Sequence, residues 1–470
     1  MGETEKKRGS AGRYFGTDGY RGEAGAGLTA ERAFRLGRFL GFYYGEVMRR
    51  RGNAAYRPRV AVGKDTRRSG YMLEYAVAAG LAASGADAYL LHVTTTPSVS
   101  FVTRSDGFDG GIMISASHNP YTDNGIKVMN RAGEKEDGGV LAAAEDYLDG
   151  AVTLFGREYT ELPAARGEAV GRTVDYAAGR NRYIGCLLSH ATYSLRGMKI
   201  GLDCANGSAF SIAREVFDAL GATTHTLGTD PNGTNINLAC GSTAPEGLAR
   251  LVRDRSLDIG FAFDGDADRC IAVDERGAIT DGAAILYAVG THMKREGSLR
   301  GGIVSTVMAN EGLAEALGRE GIPLVRTAVG DKYVYAEMMA RGWCLGGEPS
   351  GHIIFSKYQT TGDGLLTALE VLRVMLERES PLSVLTAPYV PYPEVQANVR
   401  VAEPGAIVLR PSVTEAVAAA EAALGTEGRV LVRASGTEPV VRILVEARAE
   451  PLARRLCGRI EEIVKEEGRR

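Results

Sequence analysis

The 470-residue chain has no paired-cysteine motif, no long apolar run and almost no net charge. Each absence removes a class of protein. Its six cysteines (Cys186, Cys204, Cys240, Cys270, Cys344 and Cys457) are scattered with no C-x-x-C pair, a distribution that fits buried free thiols in a reducing cytosol rather than a disulfide framework. The most continuous small-apolar run, Tyr75 to Ala83, is far shorter than the ~20 residues a membrane-spanning helix needs. The N-terminal MGETEKKRGSAGR has no apolar stretch for a secretion signal, and Lys6 stands where a myristoylation motif needs Ser or Thr. A cytoplasmic location is expected, with no membrane contact. A formal charge of −3, from 55 Lys and Arg against 58 Asp and Glu, gives no field that would draw nucleic acid. Any anion site must be local.

Glycine, by contrast, is abundant: 61 of 470 residues, about 13% against a typical ~7%. Much backbone is therefore bare in loops, where peptide N–H groups can approach an anion. Hydrophobic residues at 44% and charged residues at 24% are the balance of a soluble globular protein. The length implies roughly three domains rather than one continuous core.

One order of elements occurs three times. An apolar strand feeds a polar loop and a helix at Arg59 to Gly70, Lys199 to Ala209 and Gly301 to Gly312; a strand opening on glycine follows at Gly85, Gly221 and Gly321. Strand, helix, strand implies a parallel, right-handed crossover. The third element is a short strand running into a loop dense with functional groups, then another short strand: Gly111 to Met129, Ile259 to Asp274 and Trp343 to Phe355. The expected fold is α/β: three similar α/β domains with mixed sheets around a central cleft (1–172, 173–278 and 279–388), plus a smaller C-terminal α+β domain (389–470) entered through the proline-rich linker PYVPYPEV. In the last helix Leu452, Leu456, Ile460 and Ile463 recur at helical spacing.

The loops carry the chemistry. ISASHNP places Ser117 beside His118, which raises a hydrolase nucleophile, a phosphate carrier or a plain turn as alternatives. Neighbours in an extended loop generally point apart, and no G-x-S-x-G elbow surrounds this serine, so adjacency argues poorly for a Ser-His dyad. In DGDADR, Asp264, Asp266 and Asp268 alternate with small residues, and three crowded carboxylates favour a hard cation, Mg²⁺ or Ca²⁺, over a solvated acidic turn. An EF-hand reading fails because Arg269 replaces the required glycine and the flanks are strands. A phosphate on Ser117 could complete that coordination sphere. GGEPSGH is either a plain glycine-rich turn or a loop that offers Glu348, Ser350 and His352 to a polyol lying against the backbone of glycines such as Gly347. RASGTEP, with Arg433, Ser435, Gly436 and Thr437, makes a phosphate cradle or a plain hairpin turn. Arg21 and Lys127 are either second cations for a transferring phosphoryl group or solvated surface charges.

These four loops, in this order, resemble the α-D-phosphohexomutase superfamily, and within it the phosphoglucosamine mutase group, through GYMLE, SASHNPYTDNGIK, VGDKYV, GGE-x-SGH and TTGDG. The resemblance runs from Tyr14 almost to the C-terminus. It implies that Ser117 is the phosphoserine, that Asp264, Asp266 and Asp268 with a Ser117 phosphate oxygen hold Mg²⁺, that Gly347, Glu348 and Ser350 read the sugar, and that Arg433, Ser435, Gly436 and Thr437 hold the distal phosphate. Arg21, His118, Lys127, Arg269 and His352 match positions of phosphoryl or proton transfer, with Lys127 favoured as general base over His352. The implied reaction interconverts glucosamine 6-phosphate and glucosamine 1-phosphate through a 1,6-bisphosphate that also serves as activator. Glucose or mannose phosphates are the runner-up substrates, and a sugar-phosphate phosphatase or a non-catalytic binder is the different-class alternative. The sequence is compatible with a monomer or a homodimer. Two departures stand out: Ala267 where the family's metal loop usually has glycine, and Pro349 where an amide residue is common.

Overall fold

A computed structural model describes residues 12–435 and 439–469. The threefold pattern is present in strand order as well as in sequence. In the first sheet the strands Asp87–Val93, Arg59–Lys64, Gly110–Ile114 and Asp123–Asn130 lie side by side in that order; the first three are parallel and the last is antiparallel. The second sheet repeats the order with Thr223–Leu227, Lys199–Asp203, Ile259–Phe263 and Cys270–Val273. The third does so with Leu324–Thr327, Ile303–Thr306, Leu345–Gly347 and Ile353–Phe355. Each functional loop therefore joins the third strand of a repeat to its antiparallel fourth.

The apolar runs form strands because both faces are covered. Every residue of Gly110–Ile114 and of Ile259–Phe263 is buried, and burying a side chain such as Phe261 or Ile112 contributes about 1.5–3 kcal/mol. The first sheet is extended at one edge by Phe15–Gly16 and Gly19–Glu23, which carries Arg21, and at the other by Thr173–Asp175. The helix Thr96–Ser105 is capped by Thr95, whose Oγ1 accepts the Ser98 N–H at 3.2 Å. Asp363 caps Gly364–Glu377 in the same way, through Leu366 N–H at 3.0 Å.

By compactness the chain divides into two units. One holds residues up to Met308 together with Val325–Thr386; the other holds Ala309–Leu324 and Ala387–Arg470. The second unit contains an antiparallel sheet, ordered Glu394–Arg400, Val440–Ala447, Gly428–Ala434, covered by the helices Pro411–Leu424 and Glu450–Arg469. Leu456 and Ile460 are buried there, with Leu452 and Ile463 packed against the same core. PYVPYPEV is less of a free linker than its prolines imply. Tyr389 and Tyr392 are buried, the Tyr392 N–H donates to Asn310 Oδ1 at 2.8 Å, and its hydroxyl donates to Glu315 at 2.8 Å. Burying two aromatic rings outweighs the local turn tendency of proline. No helix among the described residues is long and apolar enough to cross a membrane.

Candidate active site

Ser117 follows the buried strand Gly110–Ile114 and is itself fully buried. Its φ of 53° lies in the left-handed region, which non-glycine residues enter only when their surroundings hold them there. That conformation corrects the expectation that Ser117 and His118 point apart: Ser117 Oγ lies 3.4 Å from His118 Nδ1. The hydroxyl nevertheless donates to Asp264 Oδ2, at 2.5 Å.

Asp264, Asp266 and Asp268 occupy the corresponding loop of the second repeat, all buried, with one carboxylate oxygen from each within 4.8 Å of the others. Ala267, between them, has a φ of 55°. This is the left-handed position for which the family's glycine is suited. Thr96 meets the loop from the first repeat, its Oγ1 donating to Asp266 Oδ2 at 2.5 Å. Asp266 Oδ1 and Asp268 Oδ1 are sealed from solvent with no hydrogen-bond donor. Three hard carboxylates, two of them with an unsatisfied buried oxygen, and a serine hydroxyl beside them fit a divalent cation that prefers oxygen. Burial, then Asp268 and Asp266, push the Asp264 carboxyl well above the usual carboxylate range.

Lys127, on the strand Asp123–Asn130, reaches Asp266 Oδ2 at 2.8 Å, Asp268 Oδ2 at 2.9 Å and Asp18 Oδ2 at 3.4 Å. Burial disfavours its charge, but Asp18, Asp266 and Asp268 outweigh that and hold the ammonium well above its ordinary pKa. From Lys127 a circuit of alternating charge closes on itself. Asp18 Oδ1 meets Lys135 at 3.2 Å, Lys135 meets Asp331 at 2.5 Å, Asp331 meets His352 Nε2 at 3.5 Å, and His352 Nδ1 returns to Asp268 at 3.6 Å. Burial opposes the charged form of His352, while Asp268, Asp331 and Glu348 push its pKa up to about 9. The Gly362 N–H donated to Nε2 at 2.9 Å works the other way, toward the neutral ring. His118 differs: burial, with Arg269 and Arg21, takes it down to about 4, so its ring is neutral near pH 7.

An open cavity of about 460 Å³ lies beside this circuit, lined by Thr17, Asp18, Arg21, Arg269, Thr306, Met308, Glu348, Pro349, Ser350 and His352. Arg21 is held by Asp18 and by Asn119 Oδ1. Burial raises the Glu348 carboxyl, which accepts the Gly330 N–H at 3.3 Å. The GGEPSGH loop turns tightly here, Gly351 N–H donating to Glu348 O at 3.0 Å with Gly351 at φ 91°. Pro349 occupies the second position of that turn, which suits its fixed φ and needs no N–H. Gly347 does not line the cavity; it sits in the strand Leu345–Gly347, and its carbonyl accepts Ser305 Oγ. Arg433 and Ser435 lie in the other compact unit at the end of Gly428–Ala434, where burial and Arg442 lower the Arg433 pKa. Gly436 and Thr437 lie outside the described residues. A second His-and-carboxylate cluster, His292 with Glu296 and Glu377, already has Arg373 between its acids, at 2.8 and 3.3 Å.

Models of the phosphoglucomutase/phosphomannomutase family match in chain order: α/β/α domain I at residues 12–148, domain II at 181–277, domain III at 281–392 and the C-terminal domain at 396–463. The phosphoglucosamine mutase of Lachnospira eligens is 54% identical over 458 residues, 97% of this chain and 99% of that one. The chain belongs to the phosphoglucomutase/phosphomannomutase family. The Bacillus subtilis phosphoglucosamine mutase is 43% identical to this family member over 457 residues, again 97% of this chain and 99% of that one. Among solved structures, a phosphoglucomutase/phosphomannomutase family protein of Burkholderia thailandensis aligns with TM-score 0.76 at 25% identity over 96% of this chain and 97% of that one. The Aspergillus fumigatus N-acetylphosphoglucosamine mutase, solved with GlcNAc-6P and magnesium, shares the fold at TM-score 0.68 and 19% identity, over 97% and 96% of the two chains. As a phosphohexomutase the chain is an isomerase that acts on small sugar phosphates.

The motifs named Ser117, His118, Lys127, Arg269, His352 and the three aspartates, and these meet in one compact unit. The motifs gave no separate role to Asp18, Lys135, Asp331, Arg67 or Asn237. Asp18 and Asp331 lie within the stretches YFGTDGYRG and VGDKYV, and their acidic side chains among glycines were the available signal.

Proposed function

We propose that this phosphohexomutase is a cytoplasmic phosphoglucosamine mutase whose transferable phosphoryl group is carried on Ser117. The observation that carries this reading is the contact of Ser117 Oγ with Asp264, within a trio of buried carboxylates. Near-full-length identity to phosphoglucosamine mutases supports the hexosamine substrate over glucose or mannose phosphates. In the first half-reaction the 1-hydroxyl of glucosamine 6-phosphate attacks phosphorus, the P–Oγ bond of phospho-Ser117 breaks, and the hydroxyl proton passes to a base. The resulting 1,6-bisphosphate turns over, and its 6-phosphoryl group returns to Ser117, leaving glucosamine 1-phosphate. The same bisphosphate would recharge an enzyme that had lost its phosphate, and so would act as activator.

Asp264, Asp266, Asp268 and a phosphate oxygen on Ser117 would hold Mg²⁺, which when bound neutralises phosphate oxygens and polarises the phosphoryl group. Lys127 shares Asp266 Oδ2 and Asp268 Oδ2 with that site. Of the three acids that hold its proton only Asp18 stands outside that site, and Lys127 would act as the base near the sugar hydroxyl, with His352 as the second candidate. Arg21 and Arg269 supply positive charge along the cavity. Glu348 and Ser350 face the same cavity and would read the sugar hydroxyls. Arg433, Ser435, Gly436 and Thr437 would hold the distal phosphate.

The test is a coupled assay with glucosamine, glucose and mannose 6-phosphates that follows 1-phosphate and free phosphate together. Fastest turnover of the glucosamine substrate is expected, with a fall to background on chelation by EDTA. Free phosphate without isomerisation would instead mark a phosphatase. Ser117→Ala should lower turnover by about 10³-fold or more, keep the native thermal transition, and lose the single added phosphoryl group in the intact-mass spectrum. Full activity in that variant would reject the phosphoserine role.

A further inference from the structure

Arg67 is fully buried, yet it contacts no group of the reaction directly. Its side chain has five N–H donors, and each finds an acceptor. Nε donates to Asp65 Oδ2 at 2.8 Å, and Nη1 donates to the Pro120 carbonyl and, at 3.2 Å, to that of Asp123. Nη2 donates to Ser117 O at 2.8 Å and to Asn119 O at 2.9 Å. Asn237, from the second repeat, aims its Nδ2 at the same two carbonyls, at 2.9 Å from Ser117 O and 3.1 Å from Asn119 O. The Ser117 N–H is fixed as well. It donates to Ser115 Oγ at 2.9 Å, and that hydroxyl donates to Asp65 Oδ2 at 2.7 Å, the oxygen that also anchors Arg67.

We infer that Arg67 and Asn237 are positioning residues for phosphoryl transfer at Ser117, a clamp on the carbonyls flanking His118 that sets where the serine oxygen sits relative to the carboxylate loop. Three observations lead there. Ser117 has a left-handed φ of 53°, so a loosened loop would relax to an ordinary conformation and swing Oγ away from Asp264. The clamp is built from both sides of the serine–aspartate contact, Arg67 from the first repeat and Asn237 from the second, so it fixes the register between the two loops. Space on the far side is closed: a Cβ on Gly265 would lie 2.5 Å from Ser117 O, leaving the carbonyl one seat. The inference rests on Ser117 being the phosphoryl carrier.

The experiment uses the full chain with Asn237→Ala, Asn237→Asp, Arg67→Lys and Arg67→Ala. It measures kcat and KM with glucosamine 6-phosphate, the single-turnover loss of phosphate from phospho-Ser117 to the sugar, and thermal unfolding. Because a displacement of about 1 Å can cost ~10²-fold in rate, Asn237→Ala should lower kcat and the single-turnover rate about 10- to 100-fold while KM stays within about threefold. Asn237→Asp, which turns an acceptor toward two carbonyls, should fall further, and Arg67→Lys, which cannot span four carbonyls, further still. A kcat within twofold of wild type for Asn237→Ala, or kcat, KM and unfolding temperature all moving together, would overturn the clamp. If the Arg67 variants do not fold, the Asn237 pair decides the matter alone. Ser117→Ala is run in parallel: an active Ser117→Ala would sink the carrier role itself, whereas an inactive Ser117→Ala beside a fully active Asn237→Ala would sink only the positioning role.

Discussion

Ala267 has a φ of 55° with its methyl group fully buried, at the centre of the aspartate loop. A left-handed alanine costs roughly 1–2 kcal/mol, part of which glycine gives back by losing more chain entropy on folding. Ala267→Gly should therefore raise unfolding stability by up to about 1 kcal/mol in denaturant titrations; a loss of stability would mean that packing of the methyl outweighs the strain. Ser117, the aspartates and Glu348 of GGEPSGH were legible in the sequence because reactive groups spaced by small residues leave a pattern. Arg67 and Asn237 were not. Apart from Asp65, which orients Arg67, their partners are backbone carbonyls, which every residue possesses, so no spacing betrays the clamp. The approach of His118 to the Ser117 hydroxyl was likewise hidden, because it depends on one φ angle that serine rarely adopts.

The helix Gly364–Glu377 begins at a buried acid. Burial raises Asp363 to about 6, against helix N–H groups and the Tyr183 and Gln359 side chains, which favour its charge. The folded protein therefore holds this proton more tightly than the unfolded chain, whose carboxylate titrates near 3.8. Its contribution to stability is fully present below about pH 4 and falls as pH rises toward 6, with a slope of at most about 1.4 kcal/mol per unit. Asp363→Asn removes that slope, so the stability difference between wild type and variant should move in the variant's favour from pH 4 to 6.5 in urea titrations. A constant difference would show that Asp363 titrates normally. At this scale the sequence was informative: apolar runs bounded by glycine marked the repeated strands, and the Leu452, Leu456, Ile460 and Ile463 spacing marked the last helix. It was less so at PYVPYPEV, where the turn chemistry of proline is local while burial of Tyr389 and Tyr392 depends on residues far away in the chain.

Across the larger unit, loops from three sheets are tied by charge. Lys135, from the first repeat, meets both Asp18 and Asp331, the latter at the start of the helix Asp331–Arg341 in the third. Lys135→Met should lower stability by about 1–2 kcal/mol, more at low salt than at high, since Asp331 loses its nearest cation and Asp18 keeps only Lys127 and Arg21. Equal loss at both ionic strengths would assign the effect to packing instead. In the smaller unit, Ile460→Ala should cost about 2–4 kcal/mol, read by calorimetry, because Ile460 is 1% exposed in a closed apolar cluster. That unit is assembled from two separated stretches, Ala309–Leu324 and Ala387–Arg470. During synthesis the first stretch leaves the ribosome with its partners still unmade: more than 60 residues intervene, from 325 to 386, and the C-terminal stretch must follow. At about 5–20 residues per second this amounts to several seconds or more of waiting. Throughout that interval Asn310 and Glu315 lack Tyr392, the residue whose N–H and hydroxyl they accept in the finished molecule, and must wait in water.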